Sequence, residues 1–136
     1  MKRGPVVTMF ILVAFSALAG KEEREFLKSE LTPAVSAAEA KFKASCGCAL
    51  KITLNGNTTK TKEDMQTTKN IADAITEGVG GYCTDAPSKK AVCQMKALEL
   101  AKASKAEFTF KGGKGVATQD GQSYTNWEMM TRELDK

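Results

Sequence analysis

The residues best equipped for chemistry in this chain are its four cysteines, Cys46, Cys48, Cys83 and Cys93. An even count in a chain with export features favours two disulfides. Cys46 and Cys48 begin an alternating run with Leu50, Ile52 and Leu54, which predicts a strand with both sulfurs on one face. Residues two apart on a strand face stand about 6.5 Å apart at Cα with parallel Cβ vectors, so a bond between them is strained. Cys46–Cys83 with Cys48–Cys93 is the favoured pairing, and the crossed pairing stays open. Each bridge closes a loop of tens of residues and contributes roughly 3–4 kcal/mol in the chain-entropy model. Three rivals compete with structural bridges, of which four free buried thiols fit an oxidising compartment poorly. A strained Cys46-Gly47-Cys48 pair would be easily reduced and would serve as a redox centre. A four-thiolate zinc site is possible in principle, but the C-x-x-C knuckles are missing. No metal or other cofactor is expected.

The second chemical feature is Lys111-Gly112-Gly113-Lys114-Gly115. Glycine amides and lysines can cradle an anion, yet the spacing is not that of a phosphate-binding G-x-x-x-x-G-K-[ST] loop. A hairpin turn accounts for all five residues, with glycine supplying positive φ and lysines solvating the tip. Histidine is absent, which removes Ser-His-Asp and Cys-His catalysis and His-ligated zinc. The acid pairs Glu22-Glu23 and Glu63-Asp64, and Asp120 with Glu128, read as helix caps and solvated faces. Among the aromatics, Trp127 is expected in the core, and Tyr82 and Tyr124, flanked by turn residues, at the surface.

Several elements must position these groups. Leu27, Leu31, Ala34, Val35, Ala38 and Phe42 share one helix face, and Pro33 predicts a break or kink near Thr32 in a helix running to about Ala44. Asn55-Gly56-Asn57 ends the predicted strand, and Asn57-Thr58-Thr59 fits an N-glycosylation acceptor pattern. Thr61 with Asp64 starts a second helix, marked by Met65, Thr68, Ala72, Ile75 and Val79, which Gly78, Gly80 and Gly81 should stop. Asp85 or Ser88 opens a third helix, and Val92 to Ala101 is apolar over so much of its circumference that it is placed centrally in the core. Phe108 and Phe110 then alternate with polar residues, Gly112-Gly113 turns them onto Val116-Ala117-Thr118, and Asp120-Gly121 opens a second hairpin. Thr125 and Glu128 form a capping box for a short closing helix with Trp127, Met130 and Leu134.

The address comes from residues 1–19. Lys2 and Arg3 precede the apolar run Val6 to Leu18, and Ala17-Leu18-Ala19 supplies the small residues of a cleavage site. A run of about thirteen residues is short of the roughly 20 that span a bilayer, so a cleaved signal peptide is predicted. Lys21 stands where a lipoprotein signal would need its cysteine, so no membrane anchor is expected after cleavage. The product is then a single domain from Gly20 to Lys136, secreted or periplasmic. Removing Lys2 and Arg3 lowers the basic count from 20 to 18 against 16 acids, a net charge of +2 instead of +4. That excess is too small to imply a nucleic-acid partner.

The expectation is an α+β domain: a small antiparallel sheet of three or four strands against three or four helices, stapled by two disulfides. Its function is read as a binding or interaction module, its partner another protein or a small ligand. The candidate contact surface is the hairpin tip Lys111, Gly112, Gly113 and Lys114, with Tyr82 in the Gly80-Gly81-Tyr82 connection, and Tyr124. The alternatives are a thiol redox protein or other enzyme using Cys46 and Cys48, and a carrier holding a small apolar molecule against Phe108, Phe110 and Met95.

Overall fold

In the computed structural model, which describes residues 20–136, the chain opens with one helical rod. This rod, α1, comprises an α-helix Lys21–Phe26, a π-helical turn Leu27–Leu31 and an α-helix Thr32–Cys46. It does not break at Pro33. A proline has no N–H to give the preceding turn, and here the turn just before it is widened to the π form, with the Thr32 N–H donating to the Leu27 carbonyl. The buried stripe Leu27, Leu31, Val35, Ala38, Phe42 and Cys46 is the predicted helix face continued to the last turn.

The remaining elements are β1 Lys51–Leu54, α2 Lys62–Tyr82, α3 Ala86–Val92, β2 Ala97–Lys102, β3 Phe108–Lys111, β4 Lys114–Gln119 and α4 Trp127–Leu134. Among the described residues four helices and four strands make an α+β fold, as expected. The strand order is β1-β2-β4-β3. The sheet is mixed rather than antiparallel: β1 with β2 and β2 with β4 run parallel, and only the β3–β4 hairpin is antiparallel. Residues between β1 and β2 form the α2–α3 crossover that parallel neighbours require.

Three local expectations are corrected. Cys46 ends α1 instead of starting a strand: Gly47 takes φ +82° as the helix stop, and β1 begins only at Lys51. The predicted core helix Val92 to Ala101 does not exist as such. Helix α3 closes at Val92, the Met95 N–H reaches back to the Val92 carbonyl at 3.1 Å, and Ala97–Lys102 is the inner strand β2. Its apolar residues fit a helical stripe and an alternation equally well, and only pairing on both edges selects the strand. Third, α2 runs through Gly78, Gly80 and Gly81 to Tyr82. At Gly78 a side chain would fall on the Trp127 ring, so this glycine admits close contact between α2 and α4 instead of stopping the helix.

Several caps are as the sequence predicts. Thr61 accepts from the Asp64 N–H at 3.0 Å, and Asp85 from the Ser88 N–H at 2.8 Å. At α4 the cap is Asn126, accepting from the Met129 N–H at 2.9 Å, one residue beyond the predicted Thr125. Thr125 is buried instead, its hydroxyl 2.9 Å from the Glu107 and Thr118 carbonyls.

The helices pack on one face of the sheet. Ile52, Leu98, Leu100, Ala117 and Phe108 turn into that layer and are buried with Phe42, Met65, Ile71, Ile75 and Met130. Gln119, buried at the end of β4, binds this layer through polar contacts: its amide donates to the Asp64 carbonyl at 3.2 Å, and its oxygen accepts from the Gly121 N–H at 2.6 Å. Beside it the Asp64 carboxylate pairs with Lys102 at 2.9 Å. At the outer edge of the sheet, Glu39 of α1 accepts the outward Ile52 N–H at 2.7 Å, which blunts the open side of β1.

Candidate functional site

The four sulfurs form two bridges, Cys46–Cys83 and Cys48–Cys93, with Cα separations of 5.2 and 6.0 Å. This is the favoured pairing. Its geometric route differs from the expectation, because Cys46 sits on the last turn of α1 while Cys48 lies in the loop after it. The first bridge ties the ends of α1 and α2 and is buried; the second ties the loop to the end of α3 and is half-buried. Cys46 and Cys48 each bond elsewhere, and no free cysteine exists among the described residues. Two such bridges suit an oxidising, extracellular-type compartment.

The hairpin between β3 and β4 has the predicted turn. Gly112 and Gly113 take φ +59° and +83°, the two positive values a tight turn of this hand demands. The Gly113 carbonyl faces inward and accepts from the Lys96 N–H at 2.8 Å, which pins the tip to β2. Lys114 is held 3.1 Å from Glu99, and Glu99 accepts from the Asn55 amide at 2.8 Å. The Asn55 amide and then Lys114 hold the Glu99 carboxyl below the usual range.

Tyr82 is not in a connection but on the last turn of α2. Its hydroxyl donates to Asp135, and its ring meets Trp127 edge to face at 5.8 Å between centroids. Burial, then the Asp135 hydrogen bond and the charges of Asp135 and Asp85, push its phenol up to about 12. Tyr82 therefore clamps the end of α4. Gln94 links this region to the hairpin: its amide donates to the Leu134 carbonyl at 3.1 Å, and its own carbonyl lies beside Gly113. The tip and Tyr82 thus share one end of the molecule. Tyr124, exposed and bridged to Gln119, stands at the opposite end of β4, about 16 Å from Lys114 at the strand rise per residue. The candidate contact residues form two separate places, not one.

Two of the residues named for an apolar ligand lie in filled space, and the third, Phe110, is half-buried. Met95 and Phe108 are buried, and a carbon added at Gly115 would stand 2.8 Å from each. Three hollows among the described residues are open surface clefts: one of about 540 Å³ beside Glu25, Phe26 and Lys62, one of about 340 Å³ beside Glu39 and Leu50, and one of about 260 Å³ between β3 and α4. The Asn57-Thr58-Thr59 triplet sits at a turn with Asn57 exposed and Thr59 fully buried. The predicted signal peptide lies outside the described residues, and among those described no helix is long and apolar enough to cross a membrane.

Sequence reasoning passed over Lys51. The register places Lys51, Ala97, Lys114 and Lys111 in one row across all four strands, so three lysines stand on the face away from the helices. Alternation in β1 gave the direction of Lys51; its neighbours in the row depend on pairings far apart in sequence. The chain matches no protein-family model, no curated protein and no solved structure.

Proposed function

We propose that the chain acts outside the cytoplasm, secreted or periplasmic, as a binding module that uses its surface rather than a catalytic centre. The single observation that supports this most is the fate of the sulfur. Both cysteines with redox potential from sequence are committed to separate bridges that tie three helices and a loop into one frame. Such a frame holds exposed loops still, and rigid presentation lowers the entropy a partner must overcome. The hairpin tip is one such loop. It is anchored by Lys96, Ala97 and the Glu99–Lys114 pair while Lys111 and Gly112 remain exposed.

The test is site-specific photo-crosslinking in the exporting host, with the reactive group at Lys111, at Tyr124 or at the control position Lys28 on α1. A defined adduct from one of the first two positions and none from Lys28 supports a specific partner. Equal labelling from every position would contradict it, as would catalysed reduction of a protein disulfide by the purified chain. Mass spectrometry of the exported product reports the compartment: an N-terminus at Gly20 is the expected result.

A further inference from the structure

We propose, building on the binding-module reading, that the outward face of the sheet is a docking surface for an acidic protein partner. Parallel strands are ordinarily covered on both faces, because the crossovers that join them lay helices there. Here β1, β2 and β4 form a parallel set with its helices on one side. On the other side the strands present Lys51 and Thr53 of β1, Ala97, Glu99 and Ala101 of β2, Thr109 and Lys111 of β3, and Lys114, Val116 and Thr118 of β4. Lys51, Thr53, Thr109, Lys111 and Lys114 are exposed.

The chemistry of this face is asymmetric. Its middle carries the methyl groups of Ala97, Val116 and the threonines around the Glu99 carboxylate, which Asn55 and Lys114 already occupy, while Ala101 is covered. Its hairpin end carries the lysine row. With strands about 4.8 Å apart, Lys51, Lys114 and Lys111 span about 14 Å. Lys114 is fixed by Glu99, which is fixed in turn by Asn55, whereas the ammonium groups of Lys51 and Lys111 have no acidic partner among the described residues. Small side chains around one neutralised carboxylate, with the unpaired positive charge gathered at one end, suit a protein interface. The row calls for carboxylates opposite it. It has no arginine to grip phosphate in a bidentate fork and no aromatic ring on which a base or sugar would stack, which argues against nucleic acid.

The experiment uses the oxidised mature chain, isotopically labelled, with poly-L-glutamate as the probe and amide shifts as the readout. The expected result is shifts centred on Lys51, Thr53, Ala97, Thr109, Lys111 and Lys114, weakening as salt rises. Lys51→Glu with Lys111→Glu is expected to lower the affinity about tenfold or more, whereas the control pair Lys28→Glu with Lys43→Glu on α1 changes it less than about twofold. All four positions are exposed, and the amide spectrum shows whether each variant remains folded. Equal losses in the two pairs would reduce the effect to net charge and overturn the proposal. Tighter binding to single-stranded DNA or heparin of equal charge would overturn the choice of an acidic protein. Self-association of the free chain through this face, seen by sedimentation, would overturn it in favour of a second copy. Shifts gathered on another surface would remove this face and leave the binding-module reading standing; no shifts together with no specific cross-link would remove both.

Discussion

Because the loops closed by the two disulfides overlap, with Cys48 inside the Cys46–Cys83 loop and Cys93 outside it, their contributions to stability should depend on one another. Cys46–Cys83 spans 37 residues and Cys48–Cys93 spans 45. Taken alone, each closes a loop whose entropy is worth about 4 kcal/mol in the chain-entropy model. In the intact protein the second closure is shorter. The path from one bridge to the other covers the two steps between Cys46 and Cys48 and the ten between Cys83 and Cys93, a loop of about 12 residues worth about 3 kcal/mol. Cys46→Ala with Cys83→Ala, or Cys48→Ala with Cys93→Ala, should therefore each cost about 3 kcal/mol in loop entropy, and all four substitutions about 7. Removing the buried sulfurs of the first bridge adds a packing loss, but that loss appears in both the paired and the fourfold variant and cancels in the cycle. The assay is denaturant unfolding of the four proteins at one temperature, with the denaturant dependence steepening as the unfolded chain loses its cross-links. A coupling of about 1 kcal/mol, with the fourfold variant less stable than the sum of the two pairs implies, is the expected outcome. Strict additivity would show that the bridges constrain independent parts of the unfolded chain and would refute the reasoning.

Two further perturbations follow from the packing of α2. Gly81→Ala adds a carbon with nothing within 4 Å in a helix and should stabilise by about 0.5–1 kcal/mol, whereas Gly78→Ala drives into the Trp127 ring and should cost about 1–3 kcal/mol. Thermal unfolding checks both, and effects of the same sign would show that α4 does not dock at Gly78. Folding favours the protonated Tyr82 phenol, whose pKa rises from 10.0 to about 12, so its contribution is complete below pH 10 and lost as pH rises towards 12. Tyr82→Phe should abolish that loss and cost about 1 kcal/mol at neutral pH. Stability measured from pH 8 to 12 decides this, and an unchanged alkaline profile in the variant would count against the Asp135 clamp.

Much of the local structure was legible in the residues themselves. Thr61 and Asp85 announced their helices because a short polar side chain satisfies an orphan amide three residues on, a purely local event. Gly112-Gly113 announced its hairpin because few other residues accept two successive positive φ values. That Cys46 and Cys48 each bond elsewhere was legible, though from a strand face that does not exist, because it needs only that the two lie close together and that neither can readily reach the other; the pairing itself was favoured with the crossed one open, and the fold decided it.

What tertiary structure alone decided is the sheet. The residues Val92 to Ala101 satisfy both periodicities, and β2 wins because β1 and β4 offer backbone partners on both of its edges. Those partners lie tens of residues away or beyond the next hairpin, so no local pattern could report them. The same holds for the lysine row, since parallel register sets Lys51 beside Ala97 and Ala97 beside Lys114 without any spacing in the chain to reveal it. The sequence by itself determined the caps, the turn at Gly112-Gly113 and the stock of sulfur, all of which depend on groups a few bonds apart. Which strands are neighbours, which face they leave open and which charges meet there depend on long-range hydrogen bonding and burial, and these exist only once the chain has closed on itself.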